Sequence, residues 1–269
     1  MRGEGLRDAQ RCAKGLLHRF GVREAGHIRI EAFAARLGAE IQETALDGAA
    51  AQLVRHGKRA IIYVAERITD PAARRFSIAH ELGHLALEHP SMPPHELSGR
   101  YSLVASVDEG RRDYEAEANA FAAEMLMPTA LLTKTCEVSP VDLAVPRQIA
   151  REYNVSILAS ARRFTELASE RCAAVFSVDR EVKWVAPSAT FMHEIPRGKR
   201  VDTSSLAWDY FARGSIPDEP QPVPADAWFD TATDVDIIEH SIYSSELRTV
   251  LTMLWVPECA APRLGWSEK

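Results

Sequence analysis

The sequence of 269 residues predicts an α+β protein in which a small sheet precedes a helix that carries a metal-binding pattern. Three short runs are predicted as strands: 39–44, 51–56 and 59–64. Gly57 and Lys58 supply a tight hairpin turn between the last two runs. Three segments are predicted as helices: 7–20, 30–37 and 72–87.

The helix predicted over 72–87 has signals at both of its ends. Asp70 can cap it, and Pro71 takes the first helical position, where no backbone N–H is needed. Pro90 prevents the helix from continuing beyond His89. Apolar residues fall on both sides of the helix, which predicts that it is buried within a domain.

Residues 80–84 of this helix read His-Glu-Leu-Gly-His. Because positions i and i+4 lie on one face of a helix, His80 and His84 can bind one metal ion. Glu81 lies about 100° away around the helix and can reach a metal-bound water as a general base. Zinc makes such a water acidic near neutral pH, and manganese could take its place. The alternative is two core histidines that are satisfied by their neighbours.

A third ligand is expected on a second element, because catalytic zinc usually has three protein ligands and an open position. The segment 113–127 is rich in helix formers and is followed by a proline. Glu115 falls on its apolar side, where an unpaired carboxylate is costly, so we predict Glu115 as the third ligand. Asn119 shares that side and could orient a liganding imidazole. Glu117 lies opposite, beside Glu124, where a solvated face is expected. An ordinary buried salt bridge of Glu115 is the alternative.

Together these two segments resemble the ImmA/IrrE metallo-endopeptidases of bacteria and their mobile elements. The first matching segment is 75–84, Arg-Phe-Ser-Ile-Ala-His-Glu-Leu-Gly-His. The second is 115–128, which begins Glu-Ala-Glu-Ala-Asn and ends Leu-Met-Pro. Met125 departs from the family pattern, in which leucine is common, but methionine packs in a similar way.

The resemblance implies a zincin-like, gluzincin-type peptidase domain, with a small antiparallel sheet packed against the active-site helix. It also implies that His80, His84 and Glu115 hold the zinc and that Glu81 is the catalytic base. An edge strand of the sheet could bind an extended peptide by β-augmentation.

The stretch 89–112 is predicted as a loop between the two ligand helices, because it is rich in proline, glycine and charge. His89 and His95 lie in this loop, and either could stabilise a tetrahedral intermediate. Solvated loop histidines are the stronger expectation.

Three regions are expected along the chain: a peptidase domain over 1–130, a helical region over 131–170 and a mixed α/β domain over 171–269. Helices predicted over 145–153 and 157–168 have helix-turn-helix spacing. A DNA-reading helix needs a clear basic face, whereas here two arginines are offset by two glutamates: Arg162, Arg163, Glu166 and Glu170. A structural or substrate-docking role is therefore favoured over direct DNA binding.

The C-terminal region has its own pattern of strands and tryptophans. A hairpin is predicted over 173–186, a proline-rich surface loop over 217–224 and a last strand over 247–256. All five tryptophans lie here, and core packing is favoured over a ligand pocket. Some relatives in the resembled family carry a GAF-like sensor at this end, so a GAF-like, sensory or regulatory domain is expected.

Composition excludes several classes of function. A net charge of −6 argues against broad binding to phosphates of nucleic acid, and no apolar run is long enough to span a membrane. The first ten residues lack the apolar core of a signal peptide. The four cysteines are far apart, which is typical of reduced thiols in a cytoplasmic protein. The sequence does not indicate an oligomeric state.

Two functions follow. The resemblance implies a zinc endopeptidase that cleaves a cognate helix-turn-helix (Xre-type) repressor, relieving repression in a stress, DNA-damage or mobile-element response; a toxin–antitoxin pair is a variant of this role. The alternative is a non-catalytic transcriptional regulator that binds a repressor or DNA and has a structural zinc. Glu81 favours the peptidase, because a structural zinc needs no base and normally has four protein ligands.

Overall fold

The structure is a computed structural model that describes residues 2–56, 59–90, 113–230 and 234–266. Backbone contacts group the chain into two compact units. Unit one comprises Met1–Leu131 and Ala150–Ser156, and unit two comprises Leu132–Ile149 and Ile157–Lys269. Independent folding of the three expected regions stays a prediction: 1–130, 131–170 and 171–269. Among the described residues, no helix is both long and apolar enough to cross a membrane.

The helices of the described chain include the six that the sequence predicts and two that it does not, Thr129–Cys136 and Leu206–Arg213. In chain order the helices are α1 Arg2–Arg19, α2 Ile30–Arg36, α3 Pro71–Ala86, α4 Tyr114–Leu126, α5 Thr129–Cys136, α6 Ala144–Tyr153, α7 Ile157–Leu167 and α8 Leu206–Arg213. The Asp70 side chain caps α3 by accepting hydrogen bonds from the N–H groups of Ala72 and Ala73. Asp113 caps α4 by accepting from the N–H of Ala116. Both ligand-bearing helices therefore begin at a side-chain cap.

In the described residues, the sheet of unit one has three strands: β1 Ala39–Thr44, β2 Ala51–His56 and β3 Arg59–Ala65. Their order is β1-β3-β2. β2 pairs antiparallel with β3, as the predicted hairpin requires, although its turn at Gly57 and Lys58 lies outside the described residues. β1, in contrast, pairs parallel with β3. The prediction of an antiparallel sheet is therefore wrong for one pair, and the sheet is mixed. The reason is that β1 pairs with the apolar β3 rather than with its neighbour in the chain.

Gly83 brings α3 and α4 close together in unit one. A Cβ on Gly83 would lie 3.1 Å from the Cα of Ala118 and 3.2 Å from a ring carbon of Phe121. Only glycine allows this approach of the two backbones. The close contact sets where the carboxylates of α4 lie relative to the histidines of α3.

Helix α1 covers another side of α4. A Cβ on Gly5 of α1 would overlap the carboxylate of Glu117. Glu117 and Glu124 are both buried, so the expected solvated face of α4 is wrong. The sequence shows an amphipathic helix, but α1 packs against α4 and removes its polar side from water.

Within the part of unit two that the structure describes, the sheet has five antiparallel strands in the order β5-β4-β8-β7-β6. They are β4 Cys172–Val178, β5 Glu181–Pro187, β6 Gln221–Pro224, β7 Asp236–Ser244 and β8 Thr249–Trp255. The predicted hairpin and last strand are confirmed. The loop predicted over 217–224 is wrong at its end, where β6 forms an edge strand that tolerates proline. Trp184, Trp228 and Trp266 are buried in this unit, which confirms core packing for three of the five tryptophans.

Helix α7, the second helix of the helix-turn-helix spacing, packs against β4 and β5 in unit two. Ala161 and Phe164 on this helix are fully buried. The guanidinium of Arg162 lies 5.4 Å from the ring centre of Trp184, and buried Arg163 pairs with Glu166 at 3.0 Å. The buried face of α7 is therefore used for packing within the unit.

Candidate metal centre

Three side chains from α3 and α4 converge in unit one. The Nε2 atoms of His80 and His84 are 3.0 Å apart. The Glu115 carboxylate lies 3.2 Å from the first nitrogen through Oε2 and 3.4 Å from the second through Oε1. The structure thus brings together the three residues that the sequence predicts as ligands, and among the described residues they form the group that could hold a metal ion.

The spacing of these donor atoms fits a tetrahedral ion. Zinc bound at about 2.0–2.1 Å to each donor requires donor–donor separations of about 3.3 Å. The two imidazole nitrogens are 3.0 Å apart, and each lies 3.2–3.4 Å from the nearer oxygen of Glu115, which is close to that value. Oε1 of Glu115 is also buried without a hydrogen-bond partner, so a cation would satisfy it. The side chain of Glu115 is 29% exposed, which leaves a path for water on that side.

The electrostatics of the group suit a cation. Burial alone would raise the pKa of Glu115, but the close approach of His80 and His84 outweighs it and holds the pKa well below its usual range. Burial likewise opposes charge on His80, yet the nearby Glu115 and Glu81 carboxylates raise its pKa overall. The carboxylate is therefore ionised at neutral pH, as a metal ligand must be.

Asn119 contacts the first predicted ligand. Its Oδ1 lies 2.9 Å from Nδ1 of His80, the ring nitrogen that faces away from Glu115. If Nε2 binds a metal, Nδ1 carries the proton and donates to the amide oxygen. This contact fixes the orientation of the imidazole, as the sequence predicts for Asn119.

The predicted base lies between α3 and the sheet. Glu81 is buried, and its Oε2 accepts a hydrogen bond of 2.9 Å from the backbone N–H of Leu53 on β2. Among the described strands, β2 lies at an edge of the sheet, so the base is held beside that edge. Val54, the next residue of that strand, is partly exposed.

His89 and Glu117 extend the group in a way that the sequence did not predict. His89 is buried, so the prediction of a solvated loop histidine is wrong for it. Its Nδ1 lies 3.0 Å from Nδ1 of His84, and its Nε2 lies 3.1 Å from Oε2 of Glu117. The N–H of His89 also bonds back to the carbonyl of His84, so the chain folds inward just after α3. His95 lies outside the described residues.

No local pattern in the sequence predicts that His89 and Glu117 are buried together. Glu117 looks exposed as long as α4 is considered alone, and His89 looks exposed as long as it is assigned to a loop. Gly5 is the one sequence feature that points to this contact, because a helix with glycine in its first turns can approach another helix closely.

Comparison with known proteins supports the predicted family. Residues 34–165 match the family model for the IrrE N-terminal-like domain of peptidase family M78. A solved structure of a Mycobacterium tuberculosis transcriptional regulator is similar to the chain with a TM-score of 0.56 and 15% sequence identity. That similarity covers 96% of this chain and 78% of the other, and at such an identity it shows the fold alone. No curated relative matches the chain.

Proposed function

We propose that this chain, whose residues 34–165 match the IrrE N-terminal-like domain, is a zinc-dependent endopeptidase of the ImmA/IrrE family. The observation that carries the proposal is the convergence of His80, His84 and Glu115 next to Glu81. A group of two imidazoles, one carboxylate and an adjacent general base is the set that zinc peptidases need.

The residues divide the chemistry among them. His80, His84 and Glu115 would hold the metal, which when bound supplies a Lewis acid and a water of lowered pKa. The carboxylate of Glu81 takes the proton of the attacking water and passes it to the leaving nitrogen of the peptide. The Leu53 N–H keeps that carboxylate oriented through the bond to Oε2.

Strand β2 supplies a candidate binding edge for the substrate. It is the edge strand from which a backbone N–H reaches the base. An extended peptide that added to this edge would lie beside Glu81, with main-chain hydrogen bonds giving affinity. This placement favours an endopeptidase acting on an extended or locally unfolded segment of a protein.

The proposed substrate is a cognate helix-turn-helix repressor of the Xre type, whose cleavage would relieve repression in a stress, DNA-damage or mobile-element response. The family resemblance supports this class. Direct DNA binding by the chain is disfavoured, because on α7 Arg162 lies over Trp184 and Arg163 pairs with Glu166. We place the activity in the cytoplasm, where the four free cysteines would stay reduced and where such a repressor acts.

A structural zinc is less well supported than a catalytic one. Structural sites normally have four protein ligands, whereas the metal-capable group in the described part of the chain has three. Glu81 is also held beside the group, where a structural site has no use for it.

The test is Glu81→Gln, which keeps size and hydrogen bonding but cannot take a proton. The variant should bind zinc as the wild type does, while cleavage of a co-encoded helix-turn-helix repressor falls at least about 10²-fold, as expected for a general base. Glu66→Gln, at an exposed position of the same unit, is the matched control and should cleave normally. Cleavage by Glu81→Gln at the wild-type rate would remove the mechanism. Derepression that persists without cleavage would favour the non-catalytic regulator.

A further inference from the structure

We propose that His89 and Glu117 are positioning residues for the metal ligand His84, forming a carboxylate–histidine–histidine chain that ends at the metal centre. The inference depends on metal binding at the centre but not on peptidase activity. It concerns two buried polar residues that the proposed mechanism does not use.

The two nitrogens of the His84 ring face different groups. Nε2 faces His80 and Glu115, so it is the nitrogen that would bind the metal. Nδ1 faces His89 at 3.0 Å. A neutral imidazole that binds a metal through one nitrogen carries its proton on the other, so Nδ1–H of His84 donates to Nδ1 of His89.

The same reasoning fixes the tautomer of His89. Since its Nδ1 accepts, its proton is on Nε2, which lies 3.1 Å from Oε2 of Glu117. Nε2–H of His89 therefore donates to the carboxylate. Both hydrogen bonds run in one direction, from His84 to His89 to Glu117, and the carboxylate at the end satisfies the chain.

The backbone of His89 is held in place on two sides. Its N–H donates to the carbonyl of His84 at 3.0 Å, and its carbonyl accepts from Nη1 of Arg55 at 2.9 Å. Arg55 also donates to the carbonyl of His84 through Nη2 at 2.6 Å. The His89 ring lies 4.7 Å from the ring of Tyr114, centre to centre. These contacts restrict the ring to the orientation that reaches His84.

Glu117 is held by helix α1. Its carboxylate lies against Gly5, where a Cβ would overlap it. A buried carboxylate is costly unless it is hydrogen-bonded, and His89 provides a donor. The position of α1 on α4 therefore determines where the chain of hydrogen bonds ends.

The first test compares zinc affinity in His89→Leu and His89→Gln by competition with a chelator. Loss of an outer partner of a ligating histidine typically costs 10–100-fold in metal affinity, so we expect about that loss in His89→Leu. In His89→Gln the amide oxygen can accept from His84 and the amide N–H can donate to Glu117. That variant should stay within a few-fold of the wild type, on the order of the cost of a less well-oriented hydrogen bond.

A second pair of variants leaves the site residues unchanged. Gly5→Ala places a methyl group against the Glu117 carboxylate, whereas Gly15→Ala on the same helix meets no atom within 4 Å. We expect weaker zinc binding in Gly5→Ala and wild-type binding in Gly15→Ala. Thermal unfolding of the metal-free proteins is measured alongside, so that loss of fold is distinguished from loss of affinity.

The outcomes are separable. Equal zinc affinity in His89→Leu and the wild type would overturn the inference. Equal losses of zinc affinity in His89→Leu and His89→Gln would overturn it as well, because they would indicate that His89 acts through packing alone. Equal affinity in Gly5→Ala and Gly15→Ala would show that the position of Glu117 does not matter and would overturn its part. A wild-type protein that binds no zinc would overturn both this inference and the metal in the proposed function.

Discussion

Replacement of Gly83 by alanine tests the contact that places the two ligand helices. The added Cβ would lie 3.1 Å from the Cα of Ala118, 3.2 Å from its carbonyl oxygen and 3.2 Å from a ring carbon of Phe121. Carbon atoms prefer separations of about 3.5–4.0 Å, so α3 and α4 must move apart by a few tenths of an ångström. Two of the three contacted atoms belong to the backbone, so no side-chain rotation can relieve the overlap.

The expected effect on stability is a difference between two opposing contributions. Glycine to alanine within a helix stabilises by about 1 kcal/mol through backbone entropy. Overpacking at a close contact costs about 1–3 kcal/mol. The net result for Gly83→Ala is therefore a destabilisation between about 0 and 2 kcal/mol. Gly15→Ala gains the same entropy without a contact, so it should be about 1 kcal/mol more stable than the wild type.

The assay is urea unfolding of the metal-free proteins, followed by circular dichroism and by tryptophan fluorescence. All five tryptophans lie between positions 184 and 266, so fluorescence reports on unit two and serves as an internal control. The Gly83→Ala transition should change in circular dichroism and not in fluorescence. Zinc affinity should fall as well, because Glu115 lies on α4 and moves away from the histidines when the helices separate.

The reasoning is refuted if Gly83→Ala is as stable as Gly15→Ala and binds zinc like the wild type. That result would mean that the two helices can separate without cost and that the position of Glu115 does not depend on the contact.

Two further predictions concern a ligand and a buried acid. Glu115→Ala should lose most of its zinc, whereas Glu66→Gln should keep about one ion per chain, as metal analysis of the purified proteins can show. Burial raises the pKa of Glu239, although hydrogen bonds such as that from Nε1 of Trp228 oppose it. Because the pKa of Glu239 is higher in the folded state than in the unfolded state, protonation of this residue stabilises the folded state. The full stabilisation is present below the unfolded pKa of about 4.3 and is lost as the pH rises through the folded pKa. As the pH rises through this range, unit two of the wild type should therefore lose stability relative to Glu239→Gln. The measurement is the unfolding of both proteins by fluorescence at several pH values, and stabilities that change in parallel with pH would contradict the prediction.

Local signals in the sequence predict much of unit one. The ends of β1 and β2 agree with the prediction, and α3 begins at the capping Asp70 and its following proline. These features depend on residues close together in the chain. The parallel pairing of β1 with β3 was not predicted, because it depends on which distant strand offers the more apolar partner.

At the candidate site too, some features follow from neighbouring residues and others from distant parts of the chain. Helical spacing alone places His80 and His84 on one face, and the apolar side of α4 points Glu115 toward them. The burial of His89 and Glu117 depends instead on α1, a helix far away in the sequence, and on the turn that follows α3. Their surroundings are created by tertiary packing, which no local pattern records.

In unit two, the sequence analysis does not predict strand β7, Asp236–Ser244, and the reason is chemical. β7 carries Glu239 at a fully buried position, so its sequence looks too polar for a core strand. The carboxylate is tolerated because it accepts hydrogen bonds from the backbone N–H groups of Leu206 and Ala207 and from the Trp228 indole. α8, which begins at Leu206, and β7 are therefore specified partly by each other, and neither stands out alone.

Helix α4 links the parts of the metal centre. Glu115 faces the two histidines of α3, Asn119 contacts the far nitrogen of His80, and Glu117 reaches His84 through His89. All three contacts therefore depend on how α4 is placed against α3. A change at the helix contact should weaken them together, whereas a change at one of these polar residues should weaken one alone. Zinc affinities of the single variants, measured against that of Gly83→Ala, would then separate placement of the helix from the contribution of each hydrogen bond.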